Sequence, residues 1–325
     1  MVNAPSAPNA SARLLWLGWT TQCGMKPGAL AHMSSTSEQL NALEQRISRL
    51  AVALRHLRQQ SETDEATALH QALRRRGLLL KSEIHEHTLV PRPAATREEF
   101  YALLRHYSFR LFLRDVIKHG DNFTVDDLTR YCSRPVAVRY LGWLLRRKLA
   151  RRKASGFRLA APVASFGPTL EWFVAQVLRR EFGIPSAWNL RLRGARAGGD
   201  YDVVGLQEGV CIYVETKSSP PRNVECRQVR AFFDRLDTLR PQMAVFLNDT
   251  QLRMSDKIAV LFADELRRRL GRRAWSVPVT RLSGELFSIG KALFIANSDP
   301  DLVGNLGTCL AHYFRPAPLP FSEEA

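Results

Sequence analysis

The chain contains no long apolar run. None of its hydrophobic stretches approaches the ~20 residues needed to cross a bilayer, so the sequence excludes a helical membrane anchor as an organising feature. Cysteine is sparse: Cys23, Cys132, Cys211, Cys226 and Cys309 are scattered, and none forms a CxxC pair. That spacing excludes a zinc ribbon and a disulfide framework and fits a reducing, cytoplasmic setting. Histidine nearly vanishes from the second half, where only His312 follows His119. Histidine-dependent nuclease chemistry, zinc hydrolysis and a Ser-His triad therefore lack their key residue there. No GxxxxGK[ST] loop is present either, so this chain carries no Walker-type nucleotide motor.

Positive charge, by contrast, is in excess. Lys and Arg number 47 against 31 Asp and Glu, a formal net charge of +16 over 325 residues, with a pI near 10.2. Such a balance suits a polyanionic partner, because basic side chains release counterions condensed on a phosphate backbone. A genome-wide preference for arginine would produce the same excess without a partner. The length accommodates two domains, each with its own core.

Residues 1–35 are rich in Ala, Ser, Pro and Asn, with a short apolar patch at Leu14–Trp19. They read as a disordered tail or as an overcalled start with Met33 as initiator; the patch is short for a secretory signal. Residues 36–90 read as a helical coiled-coil arm. Within it Leu40, Leu43, Ile47, Leu50, Leu54 and Leu57 alternate spacings of three and four, an a/d seam over three heptads. Its partner is either a second copy of the chain, giving a homodimer through residues 40–57, or the stretch Asp64–Arg76 folded back as a hairpin. The turn-rich Val90-Pro91-Arg92-Pro93 ends the arm.

Residues 95–162 read as three helices and a hairpin. A helix over Arg97–His119 stops at Gly120, a short one is capped by Thr124 with Asp127 three residues on, and a third runs from Ser133 to Leu149. Ala150–Lys153 and Phe157–Ala160 then flank a Gly turn. Over about sixty residues this order resembles winged helix-turn-helix domains, whose third helix enters the major groove while the wing touches the backbone. The resemblance implies DNA contacts from Arg134, Arg139, Arg146 and Arg147 on the third helix and from Arg151, Arg152 and Lys153 on the wing. A helical linker whose arginines are a solvated face, or a protein-binding module, fits the same pattern.

In residues 164–318 a helix over Thr169–Phe182, opened by Pro168, carries Glu171 at the edge of its apolar arc. An acid in the first turn also complements the helix dipole without any chemical role. After the loop Gly194–Gly199 come two strands joined at Gln207-Glu208-Gly209. Asp202 opens the first, and Ile212–Lys217 forms the second. Glu215 and Lys217 lie two apart, so they share a face. Asp200 competes with Asp202, and Asp202 is preferred because it directly precedes Val203-Val204. A helix over Val224–Leu239, a strand over Met243–Leu247 and a helix over Ser255–Leu270 follow. Strands over Val277–Leu282 and Leu286–Ala296, then a helix over Asp301–Phe314, complete the pattern.

The order helix(Glu), strand(Asp), strand(Glu-x-Lys), helix, strand over Ala164–Asp249 resembles the PD-(D/E)XK, or restriction-endonuclease-like, superfamily. The proline of that motif is missing here, and Thr216 stands where a larger apolar residue is usual. The resemblance implies an α/β fold: a restriction-endonuclease-like mixed sheet flanked by helices, behind a coiled-coil arm and a winged-helix domain. It further implies Asp202, Glu215 and the Thr216 carbonyl as ligands of Mg²⁺ or Mn²⁺. Lys217 would orient or help deprotonate the attacking water, and Glu171 would complete the acidic set. The expected activity is metal-dependent endonucleolytic cleavage of DNA, with the double-stranded form as the expected substrate. Two other outcomes stay open: a catalytically inactive winged-helix regulator or defence-associated protein with a nuclease-like domain, and a nuclease directed at RNA or at junctions.

Overall fold

The computed structural model of the chain describes residues 27–83, 87–194 and 200–315. The apolar patch Leu14–Trp19, most of the Gly194–Gly199 loop and the Pro-rich C-terminal tail lie outside them. The chain divides into two units, Met1–Thr63 and Asp64–Ala325.

In the first unit the described residues are helix. They belong to α1, Pro27–Arg75, which begins inside the stretch read as tail or overcalled start and continues without a break past the unit boundary. The stretch Asp64–Arg75, expected as a possible second helix of a hairpin, is part of this one helix.

The second unit is built on an eight-stranded sheet: β1 (Leu79–Glu83), β4 (Ser186–Arg193), β5 (Tyr201–Gln207), β6 (Val210–Lys217), β7 (Met243–Asn248), β8 (Val279–Ser283), β9 (Leu286–Ile289) and β10 (Leu293–Ala296). The spatial order is β1-β4-β5-β6-β7-β10-β9-β8. β6, β7 and β10 run parallel at the centre, and the remaining neighbours are antiparallel. Central parallel strands are covered on both faces and read as unbroken apolar runs; β7 is buried throughout. Alternate residues serve opposite faces. Val203, Val214 and Val245 join one core with α5 (Gly167–Phe182) and α8 (Leu302–Phe314). Val204, Tyr213 and Phe246 join the other with α6 (Cys226–Leu239) and α7 (Val260–Leu270).

Residues 94–159 form α2 (Ala94–Leu104), α3 (Tyr107–His119), a 3₁₀ turn at Asp126–Leu128, α4 (Arg134–Arg146) and the hairpin β2 (Ala150–Lys153)–β3 (Gly156–Leu159). The expected single helix over Arg97–His119 is two, because His106 is extended (φ −80°, ψ 119°). Gly156 has φ +142°, and a Cβ there would stand 2.6 Å from the Phe123 carbonyl oxygen; glycine lets the hairpin close against that strand-like segment. Phe100 stacks on Trp143 at 5.8 Å and meets Trp172 of α5 at 5.7 Å. One apolar core thus runs from these helices into the sheet's α5 face.

Candidate functional site

α5 forms because Pro168 pre-sets its first turn, Leu170, Phe173, Val174, Val177 and Leu178 make a buried stripe, and Gly183 (φ +65°) ends it in the left-handed conformation. This seats Glu171 in the opening turns, half-buried. The Glu171 side chain makes no hydrogen bond or ion pair with any described residue. Its carboxyl is pushed up to about 9, first by burial and then by the charges of Asp202 and Glu215, with Lys217 pulling the other way.

β5 and β6 are joined by Glu208 (φ 49°) and Gly209 (φ 82°), the two positive φ values of a type I′ hairpin turn. The register Val203↔Val214 makes Asp202 and Glu215 the next residues on the two strands. Asp202 Oδ2 accepts the Thr216 backbone N–H at 2.7 Å and the Thr216 hydroxyl at 3.2 Å; its Oδ1 accepts no hydrogen bond from any described residue. Burial and then Glu215 push the Asp202 carboxyl up to about 7, opposed by Lys217, the Thr216 N–H and Arg235. Asp200 is instead ion-paired to Arg191 at 2.7 Å, on the more exposed side of the β4–β5 pair.

Tyr213, Glu215 and Lys217 alternate along one face of β6. The Glu215 side chain is 1 % exposed and surrounded by donors. Lys217 Nζ reaches Oε1 at 2.6 Å, Arg235 Nη1 reaches both oxygens at 3.1 Å, and the Tyr213 hydroxyl donates to Oε2. Burial works against the Lys217 ammonium, but Glu215 and Asp202 outweigh it and hold its pKa above the usual lysine value. The neighbouring carboxylates thus favour the protonated form of Lys217.

Glu171, Asp202, Glu215, Thr216 and Lys217 come together from α5, β5 and β6. Sequence reasoning missed Arg235 and Tyr213. Arg235 borders the buried arc of α6 formed by Val229, Phe232, Phe233 and Leu239, so an arginine interrupting the edge of an apolar stripe was the available signal. Three carboxyl groups thus face two cations, and burial together with the neighbouring carboxylates raises the pKa of Glu171 and of Asp202. An all-oxygen set of three carboxyl groups suits a hard divalent ion. Glu171 and Asp202 Oδ1 have free acceptor capacity for one, whereas Glu215 would first exchange Arg235. Among the described residues no three His, Cys, Asp or Glu side chains are already arranged around a common metal position.

Immediately beyond Lys217 a buried polar cluster ties the sheet to α3. Asp249 donates its backbone N–H to the Lys217 carbonyl at 2.7 Å. Its carboxylate accepts from Arg110 at 3.0 Å, from Ser298 at 2.6 Å and from Arg114.

The proposed DNA-contacting side chains are all exposed but differ in what they touch. Arg134 pairs with Asp126 and Arg147 with Glu99. Lys153 donates to the Asp121 carbonyl at 2.8 Å. Arg139 and Arg152 lie over the Tyr140 and Phe157 rings, each 5.6 Å from the centroid. Arg139, Arg146, Arg151 and Arg152 have no carboxylate partner among the described residues.

No protein-family model matches the chain, and no curated protein matches it. Two of the solved structures similar to the chain illustrate the likeness. One is Can2 from Sulfobacillus thermosulfidooxidans in complex with cyclic tetra-adenylate, at 16% identity and a TM-score of 0.43 over 76% of this chain and 61% of that one. The other is protein VC1899 from Vibrio cholerae, at 18% identity and a TM-score of 0.41 over the same shares. The chain spans less than two thirds of either. No described helix is long and apolar enough to cross a membrane.

Proposed function

We propose that the chain is a Mg²⁺- or Mn²⁺-dependent endonuclease of the restriction-endonuclease-like fold that hydrolyses phosphodiester bonds in DNA. The supporting observation is the convergence of Glu171, Asp202, Glu215 and Lys217, with the first two carboxyls pushed up to about 9 and about 7. Asp202, Glu215 and the Thr216 carbonyl would hold the ion, with Glu171 alongside, and both Glu171 and Asp202 would release their protons as it binds. Such an ion polarises the phosphoryl oxygen and lowers the pKa of a bound water. Lys217 would orient or help deprotonate the attacking water and place positive charge where charge develops on the phosphate. Thr216 keeps Asp202 in position. Residues 95–162 serve as a winged helix that presents Arg139, Arg146, Arg151 and Arg152 to the duplex.

A second reading rests on Arg235. With Lys217 it supplies two cations to Glu215, so a nuclease-like domain that only grips DNA would be satisfied without metal. Plasmid nicking distinguishes the two. The nuclease reading requires cleavage with Mg²⁺ or Mn²⁺ that EDTA stops and that Asp202→Ala and Lys217→Ala abolish. Intact plasmid with all three proteins, each still binding DNA, leaves the binding-only reading.

A further inference from the structure

We propose that residues 40–57 of α1 form a two-stranded coiled coil with the same residues of a second copy of this chain. Leu40, Leu43, Ile47, Leu50, Leu54 and Leu57 are 57%, 53%, 64%, 68%, 52% and 63% exposed. Six large apolar side chains in one line over roughly 26 Å of helix are more than an isolated surface helix tolerates without a partner.

The width of the line selects the kind of partner. Only a and d positions are occupied by large apolar residues in the first turns, where Asn41, Glu44, Gln45, Arg46, Ser48 and Arg49 fill the remaining faces. A helix that packs on a globular domain shows a broader stripe, whereas a strict a/d line matches one facing helix. Leucine at all three d positions, with Ile47 at the central a position, suits two strands. The flanking e and g positions hold one acid, Glu44, two separated bases, Arg46 and Arg58, and the small Ala51 and Ala53, so no block of like charge opposes pairing.

The partner within the chain that the heptads could have used is gone. Asp64–Arg75 continues α1, and its own apolar residues Leu69 and Leu73, 2% and 1% exposed, are spent in the core of the second unit. The seam also ends where that core begins, because the next two heptad positions are Ser61 and Asp64. One helix therefore carries two apolar programmes in succession, one facing its own sheet and one left for a copy of itself.

Sedimentation equilibrium of the full chain across a wide concentration range tests the assignment without reference to any activity. Wild-type protein sediments as a reversible dimer. The double substitution I47K/L50K weakens dimerisation on the order of a thousandfold while thermal unfolding of the sheet unit stays unchanged. Val52→Lys, on the far side of the helix, leaves the dimer intact. A single-chain mass at the highest wild-type concentration overturns the proposal. So does a dimer that survives I47K/L50K, or one that Val52→Lys disrupts to the same degree.

Discussion

The backbone N–H of Asp249 donates to the carbonyl oxygen of Lys217 at 2.7 Å, so the strand end that carries the charged cluster is hydrogen-bonded to the residue that anchors α3. Asp249 is fully buried, and Arg110 and Arg114 of α3 neutralise it. Helix α3 and the Glu215-Thr216-Lys217 strand are therefore coupled through one buried residue.

This linkage has an energetic consequence. Arg110→Ala leaves the Asp249 charge short of its main partner inside the protein, which costs about 3–5 kcal/mol. The Asp249 carboxyl, raised by burial but lowered more by Arg110 and Arg114, ends below its usual pKa. A depressed acid contributes stability above the unfolded value near pH 4 and loses it as pH falls through the folded value. Urea unfolding of wild type and Arg110→Ala at pH 7 and at pH 3 measures both effects. A gap between the two proteins that fails to narrow in acid would refute the pairing as its source.

Glu171 and Asp202 have the opposite sign. Their folded pKa values, about 9 and about 7, lie above the unfolded values, so the native state binds more protons than the unfolded one in between. Stability then falls as pH rises from about 4 to the folded pKa. In chelator-containing buffer, Asp202→Asn is more stable than wild type at pH 8 and equal to it at pH 4, and Glu171→Gln gains further up to about pH 9–10. Chemical denaturation across that range reads the crossover directly. Flat differences with pH would contradict the raising of both carboxyls by burial and by their acidic neighbours.

Arg235 holds Glu215 by both carboxylate oxygens, and a divalent ion would compete for them. Two unit charges 4 Å apart interact by about 4 kcal/mol at an effective dielectric near 20. Arg235→Gln is therefore expected to bind Mn²⁺ at least about tenfold more tightly, measured by calorimetry with wild type alongside. Unchanged or weaker Mn²⁺ binding would show that Arg235 positions Glu215 for the ion and does not compete with it.

On the proposed winged-helix reading, the four arginines without carboxylate partners would set the salt dependence of DNA binding. Replacing Arg139, Arg151 and Arg152 together by Gln should lower the slope of log K against log [salt] by about 0.9 for each phosphate no longer neutralised. Arg134→Gln and Arg147→Gln change the slope less, because each arginine already has an acid to neutralise it. Fluorescence anisotropy with one duplex at several salt concentrations separates the two groups. Equal slopes for all variants would remove the hairpin and α4 from the DNA interface.

Much of this architecture is legible locally. The heptads, the helix carrying Glu171, the Glu208-Gly209 hairpin and the Glu215/Lys217 pairing on one strand face all follow from periodicity and turn chemistry, which act within a few residues. Two strands are not legible. β1 follows a long helix and reads as part of the arm, and β4, Ser186-Ala187-Trp188-Asn189-Leu190-Arg191-Leu192-Arg193, mixes charge with apolar residues between the edge strand β1 and β5. Leu286–Ala296 reads as one strand until Gly290 (φ +60°) turns it back as β9 and β10.

The sequence by itself determined which side chains could share a strand face or a helix stripe, and the resemblance to PD-(D/E)XK nucleases nominated Glu171, Asp202, Glu215 and Lys217 among them. Tertiary structure alone decided that Asp202 joins the cluster while Asp200 pairs with Arg191, and that Arg235 and Tyr213 close on Glu215. It also decided that Arg110 reaches Asp249 across 139 positions. Backbone periodicity is a property of neighbours along the chain, whereas these contacts depend on which helix face is buried against which strand. That is settled only when the apolar surfaces of the whole sheet are covered at once.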